Sequence, residues 1–464
     1  MSKVFLLLSF LLSVNWVVAQ QGFVHGRSSE YIWPDEPSVR ETLDHWQDQK
    51  FGILLHWGLY SVPGIVESWS ICSEDEEWIP RDSTMDYSDY KKWYWGLIDH
   101  FNPIHFNPEQ WAEVAQKAGM KYMVFTTKHH DGFNMFDTKQ SDFSIAHGAF
   151  RDNPRKDVAK YVFQAFREQG FMIGAYFSKP DWHSEFYWWP RYATANRNVN
   201  YKIERHPQRW AAFQDFTYNQ LYELMHHYGS VDILWLDGGW VAAPRQDIRM
   251  DKIAAMARDA QPGLLIVDRT IHGKYENYQT PERSVPDRQL PYPWESCITL
   301  GVDWGWTSHA QFKSPQEVIN LLIEVVAKGG SLLLGVGPTP EGIIQSEVVE
   351  RLEVIGKWLK VNGEAIYSTR ITPDYHSGNV WFTVGKDRQK CYALYALAEG
   401  QSLPQVIEWE GNVPQKGSEM TLLQTGKSVK WSYIEGKVKV YLPKSSLNKK
   451  EAIALRFSAE SKGI

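Results

Sequence analysis

Asp237 closes the run Val231-Asp232-Ile233-Leu234-Trp235-Leu236, apolar but for Asp232, and is followed at once by Gly238-Gly239. An acid in that place is fixed by a buried strand yet opens onto a loop, and the carboxy ends of parallel strands are where α/β folds keep their reactive groups. The pattern points to Asp237 as a nucleophile; the competing reading is an acid that caps the turn after it. Five more polar groups stand in similar places: His56, the pair His129-His130, Tyr176 and Arg269, each near the end of an apolar run. One such histidine alone reads as a satisfied structural residue. Six groups converging on one face are what a polar ligand requires. Histidines with an aspartate also raise a zinc site. Neighbours on a strand, however, point to opposite faces, and the usual H-x-H pair of a barrel metal site is missing, so no metal is expected.

That convergence depends on the elements behind it. The runs FGILLHW (51–57), YMVFTT (122–127), FMIGAYF (171–177), VDILWL (231–236), LLIV (264–267) and SLLLGVG (331–337) have strand length. Helical patterns over 157–169, 210–228, 250–260 and 315–328 alternate with them, and Gly170 stands where a helix C′ glycine belongs. A repeated βαβα pattern implies parallel strands with helices outside. The fold class expected is α/β, a (β/α)8-like (TIM) barrel over residues 21–366. From 367 to 464 the pattern changes to short alternating segments, among them 380–384, 391–396, 429–433, 438–442 and 455–457, which predict an antiparallel β-sandwich.

The chain has 464 residues, of which 43% are hydrophobic and 22% charged, enough for a large core and two domains. A net charge of -6 with scattered cations offers no field for nucleic acid. The 22 Trp and 23 Tyr mildly favour a carbohydrate ligand, since indole faces stack on sugar C–H faces. Residues 1–20 read as a signal peptide, with Lys3, an apolar stretch Val4–Val18 and small residues before Gln20. Export to the periplasm or the exterior is therefore expected, and no later stretch is long and apolar enough to insert in a membrane. Cys72, Cys297 and Cys391 form neither a disulfide framework nor a zinc signature.

The stretches FGILLHWGLYSVP (51–63), KYMVFTTKHHDGFNMFDT (121–138), GAYFSKPDWH (174–183), VDILWLDGGW (231–240), PWESC (293–297), DWGW (303–306) and LLLGVGPTPEG (332–342), with NGEAIYST (362–369), come in an order that resembles glycoside hydrolase family 29, the retaining α-L-fucosidases. The resemblance covers nearly the whole chain after residue 20 and implies a (β/α)8-like barrel followed by a β-sandwich. It makes Asp237 the nucleophile of the W-x-D stretch. His56, His129 and His130 match imidazoles that hold fucose hydroxyls, Tyr176 and Arg269 match further site residues, and Trp235 and Trp304 match aromatics around the sugar. Where relatives read Ser-Glu-Trp after the S-V-P stretch, this chain reads Glu67-Ser68-Trp69, with the acid displaced by one place; Glu67 and Trp69 are carried over with that departure.

For the general acid/base the resemblance offers two loop carboxylates after Arg269. Glu282 follows Pro281 in a polar loop. Glu295 follows Trp294, an apolar neighbour that would raise its pKa as an acid catalyst requires. The implied activity is exo-hydrolysis of terminal α-L-fucose from oligosaccharides or glycoconjugates by double displacement, with no cofactor. The alternatives are a fucose-binding lectin on an inactive barrel, a different secreted barrel glycosidase, or a metal-dependent hydrolase.

Overall fold

Seven parallel strands form one sheet in the front part of the chain: the first five lie each beside the one before, while the sixth takes the opposite edge and the seventh fits between the first and the sixth. The computed structural model describes residues 31–459 apart from 75–77, 80, 83 and 448–449; the expected signal peptide, residues 1–20, lies outside the described residues. In chain order the elements are α1 (Pro37–Gln49), β1 (Phe51–Leu55), α2 (Tyr87–Trp95), α3 (Pro108–Lys117), β2 (Tyr122–Lys128), α4 (Val158–Glu168), β3 (Met172–Ser178) and α5 (Pro207–His227). They continue with β4 (Ile233–Asp237), α6 (Met250–Ala260), β5 (Leu265–Asp268), β6 (Glu295–Thr299), α7 (Pro315–Ala327), β7 (Ser331–Val336) and α8 (Ser346–Asn362).

Local chemistry sets the boundaries. Strands β1, β2, β3, β5, β6 and β7 are buried along their whole length, as parallel strands covered on both faces must be. The α4 helix buries Val158, Val162, Phe163 and Phe166 on one stripe and gives way to Gly170 at φ +79°, the left-handed conformation that a C′ glycine adopts without strain. The α7 helix opens on a capping box between Ser314 and Glu317 with Pro315 in its first turn.

Between β5 and β6 the chain runs from Arg269 to Trp294 without a helix. Part of this stretch lies against both edge strands: Asn277 donates to the Ile266 carbonyl at 2.9 Å, while Gln279 bridges Trp294 and Glu282 bridges Cys297 in parallel fashion.

The rest of the chain forms an antiparallel sheet of β8 (Thr369–Arg370), β9 (His376–Ser377), β10 (Val380–Gly385), β11 (Cys391–Tyr395), β12 (Val406–Trp409), β13 (Met420–Leu422), β14 (Lys427–Ile434), β15 (Lys437–Tyr441) and β16 (Ile453–Phe457). Strand β14 pairs with β13 through residues 427–429 and with β15 through 430–434, so it is shared between two ladders. Trp409 on β12 packs against Phe382 on β10 and Phe457 on β16, which brings the far ends of the sheet together. Tyr392, Leu394, Ala452 and Ala454 belong to the same hydrophobic core as the parallel sheet. At the surface of this junction Arg370 and Lys386 each pair with both Asp44 and Asp48 of α1. The three cysteines are buried free thiols, and no described helix is long and apolar enough to cross a membrane.

Candidate active site

The ends of five adjacent strands deliver the predicted polar groups. His56 follows β1, His129 and His130 follow β2, Tyr176 lies two residues from the end of β3, Asp237 is the last residue of β4, and Arg269 follows β5. The in-register pairing of Ser178 with Asp237 and Leu236 with Asp268 sets these ends at one level. The expectation that His129 and His130 face opposite ways is corrected by the structure. Strand β2 stops at Lys128, so alternation no longer governs the two residues, and their rings lie 4.3 Å apart on the same side as Asp237.

Arg269 organises the centre. Its Nη1 donates to Asp237 Oδ1 and its Nη2 to Glu282 Oε2, both at 2.7 Å, while its Nε donates to Thr280 Oγ1 at 3.0 Å. The guanidinium lies 4.2 Å over the Trp235 ring. Tyr176 donates its hydroxyl to Asp237 Oδ2 at 2.6 Å, and His130 Nε2 stands 3.7 Å from the same oxygen. Burial works against the Asp237 charge, but Arg269, His130 and the Tyr176 hydroxyl outweigh it and hold the carboxyl well below the usual range. Asp237 is thus an ionised, oriented carboxylate with 19% of its side chain open.

The imidazoles are held neutral. Burial pushes His56 down to about 3 and His130 to about 4, and it lowers His129 as well. Ser68 fixes His129 through Nδ1. The Nδ1 atoms of His56 and His130 are buried and have no hydrogen-bond partner among the described residues. Trp304 stacks on His56 at 5.3 Å, and Trp69 meets His130 edge-on at 5.2 Å. Glu67 is buried beside Trp304, with Oε1 accepting from the Gly305 amide at 2.7 Å, and burial raises it to about 7. The displaced acid therefore still reaches the site wall.

His129, His130 and Asp237 offer three ligand atoms within 4.8 Å of one another. A cation there would have to share Asp237 with the permanently charged Arg269, which makes this trio a poor metal site.

The two candidate acids part company. Glu282 lies beside Arg269 with 29% of its side chain exposed. Glu295 is not in a loop: it opens β6, is fully buried, and accepts from the Tyr122 hydroxyl at 2.8 Å and from Trp235 Nε1 at 3.1 Å. Sequence reasoning missed several supports, including Ser68 and Thr280 as well as Lys179, which pairs with Asp268 below Arg269. The adjacency of Thr280 to the Pro281-Glu282 step was the available signal; for the others there was none.

A model of the α-L-fucosidase family matches residues 18–364. Human plasma alpha-L-fucosidase is 30% identical over 429 residues, covering 88% of this chain and 87% of its own. The chain belongs to the α-L-fucosidase family. It is accordingly a glycoside hydrolase that releases fucose. Among solved structures, alpha-L-fucosidase isoenzyme 1 from Paenibacillus thiaminolyticus matches with a TM-score of 0.76 and 27% identity over 91% of this chain and 100% of its own. The Thermotoga maritima alpha-fucosidase, solved in complex with fucose, matches with a TM-score of 0.71 and 26% identity over 92% of this chain and 100% of its own. These fucosidases share the curled parallel sheet and the antiparallel sheet that follows it.

Proposed function

We propose that this α-L-fucosidase retains configuration, with Asp237 as nucleophile and Glu282 as general acid/base. The observation that carries the reading is the Asp237–Arg269–Glu282 array, in which one guanidinium orients two carboxylates at the mouth of the strand ends. Asp237 attacks the anomeric carbon of a terminal α-L-fucose while Glu282 protonates the departing oxygen. Glu282 then takes a proton from water as the fucosyl-enzyme is hydrolysed. His56, His129, His130, Tyr176 and Glu67 supply hydrogen bonds to the sugar, and Trp69, Trp235 and Trp304 supply apolar walls. Such hydrogen bonds strengthen as charge develops on the ring. Glu295, with both oxygens committed, is assigned a structural role under the site.

The same reading extends to the architecture. The stretch that bridges β5 and β6 stands in for an eighth strand and closes a (β/α)8-like barrel within residues 21–366. The sheet of residues 367–464, folded over Trp409, serves as a β-sandwich. Removal of residues 1–20 on export would place the enzyme among extracellular or periplasmic glycans carrying terminal fucose.

Proton NMR of an aryl α-L-fucoside during hydrolysis tests the mechanism. Free α-fucose is expected to appear first, before mutarotation. Initial β-fucose would exclude the double displacement and with it the nucleophile.

A further inference from the structure

We propose that Arg283 binds the leaving group, the sugar to which the fucose is attached; this rests on the assignment of Glu282 as acid/base. Three observations point the same way. First, Arg283 directly follows Glu282 and is exposed, with its guanidinium carbon 5.5 Å from the Trp304 ring centroid, so it stands at the rim of the pocket that Trp304 walls. Second, its side chain makes no hydrogen bond or ion pair among the described residues, although the carboxylates of Asp303 and Glu67 both feel its charge. Five N–H donors are thus presented at the mouth, aimed by an aromatic face.

Third, the backbone holds this side chain in place at a conformational cost. Arg283 has φ +50°, a left-handed conformation that a non-glycine residue adopts only when its surroundings impose it. The constraint is visible: the Arg283 amide donates to the Cys297 carbonyl at 2.9 Å, and the Cys297 amide donates to the Pro281 carbonyl at 3.2 Å. Both neighbours of Glu282 are therefore pinned to β6. The proton Glu282 delivers must go to the oxygen joining fucose to its carrier, so the carrier sugar sits against the residue next to Glu282. A guanidinium fork suits the neighbouring hydroxyls of a pyranose or a carboxylate or sulfate upon it.

Glycine accepts the left-handed backbone, so Arg283→Gly removes the side chain without adding strain. The test compares two fucosides with poor leaving groups, both needing the proton from Glu282: methyl α-L-fucoside, which has no carrier sugar, and a fucosyl-galactose disaccharide. The kcat/KM of Arg283→Gly for the disaccharide is expected to fall about tenfold, while that for the methyl fucoside stays within twofold and its pH profile does not move. An equal fall on both, or a shifted profile, would mean that Arg283 acts by placing Glu282, and would overturn the proposal; so would no change on either. If the wild-type enzyme cleaved neither fucoside, the function itself would fail, an outcome distinct from a failure of Arg283.

Discussion

Asp237 and Glu295 flank one indole inside the same parallel sheet, and the protein holds them in opposite states. Above Trp235, at the strand ends, Asp237 has a guanidinium, a phenol and an imidazole around it and stays ionised. Below, Glu295 is hydrogen-bonded by the neutral Tyr122 and Trp235, and burial raises it to about 7 against the pull of the Arg269 charge. Asp237 keeps 19% of its side chain open and Glu295 none, yet burial opposes the charge of both, so depth alone does not make a carboxylate reactive. The difference lies in a guanidinium hydrogen-bonded directly to Asp237 and an opening toward substrate.

Breaking the upper arrangement has the largest effect. Asp237→Gly should lower kcat by roughly 10,000-fold, and added azide should restore turnover with β-fucosyl azide as product; failure of any external nucleophile to rescue would count against the role. Glu282→Gln should cost roughly 100- to 10,000-fold on methyl α-L-fucoside, and far less on an aryl fucoside whose phenolate leaves unaided. If Glu295→Gln shows that dependence on leaving group instead, the two acids have been assigned the wrong way round. Tyr176→Phe removes one hydrogen bond to the Asp237 charge and should lower kcat/KM by roughly ten- to a hundredfold, measured on the same aryl fucoside.

Glu295→Gln is expected to leave kcat within about threefold and to show its effect in stability. Burial raises the folded pKa from 4.5 to about 7, so the native state keeps a proton that the unfolded chain loses between those values. The stability this group contributes is complete below pH 4.5 and is lost as the pH rises through 7, amounting to roughly 3 kcal/mol. The amide cannot ionise, but it leaves Tyr122 or Trp235 without an acceptor, at a cost of roughly 1 to 3 kcal/mol. Thermal unfolding should therefore show the variant below wild type at pH 5 and closer to it, or above it, at pH 8. A gap independent of pH would show that Glu295 pays no ionisation penalty.

The strand ends were legible because a buried parallel strand is a continuous apolar run, and a polar residue ending it stands out. His56, Asp237 and Arg269 were found on that signal alone. Strand β6 was not, because Glu295, Ser296 and Thr299 make its sequence polar and only the fold buries them. The geometry of His129 and His130 is hidden for a related reason: where a strand stops is decided by pairing, which composition does not encode. The helices α1, α2, α3 and α8 are not marked by the patterns that mark the others, and the stretch 269–294 carries no sign that it bridges two edge strands. Glu282 was reached through the family motif; its hydrogen bond to Arg269 is a tertiary fact.

The core shared across the junction limits how such an enzyme can be rebuilt. Ala452 accepts from Trp358 of α8, Thr383 donates to Ala365, and Asp44 and Asp48 answer Arg370 and Lys386. Recombination that swapped the antiparallel region for that of a distant relative would have to replace both sides of these contacts together. The two regions therefore behave as one folding unit, and a truncated catalytic fragment should express as an insoluble chain.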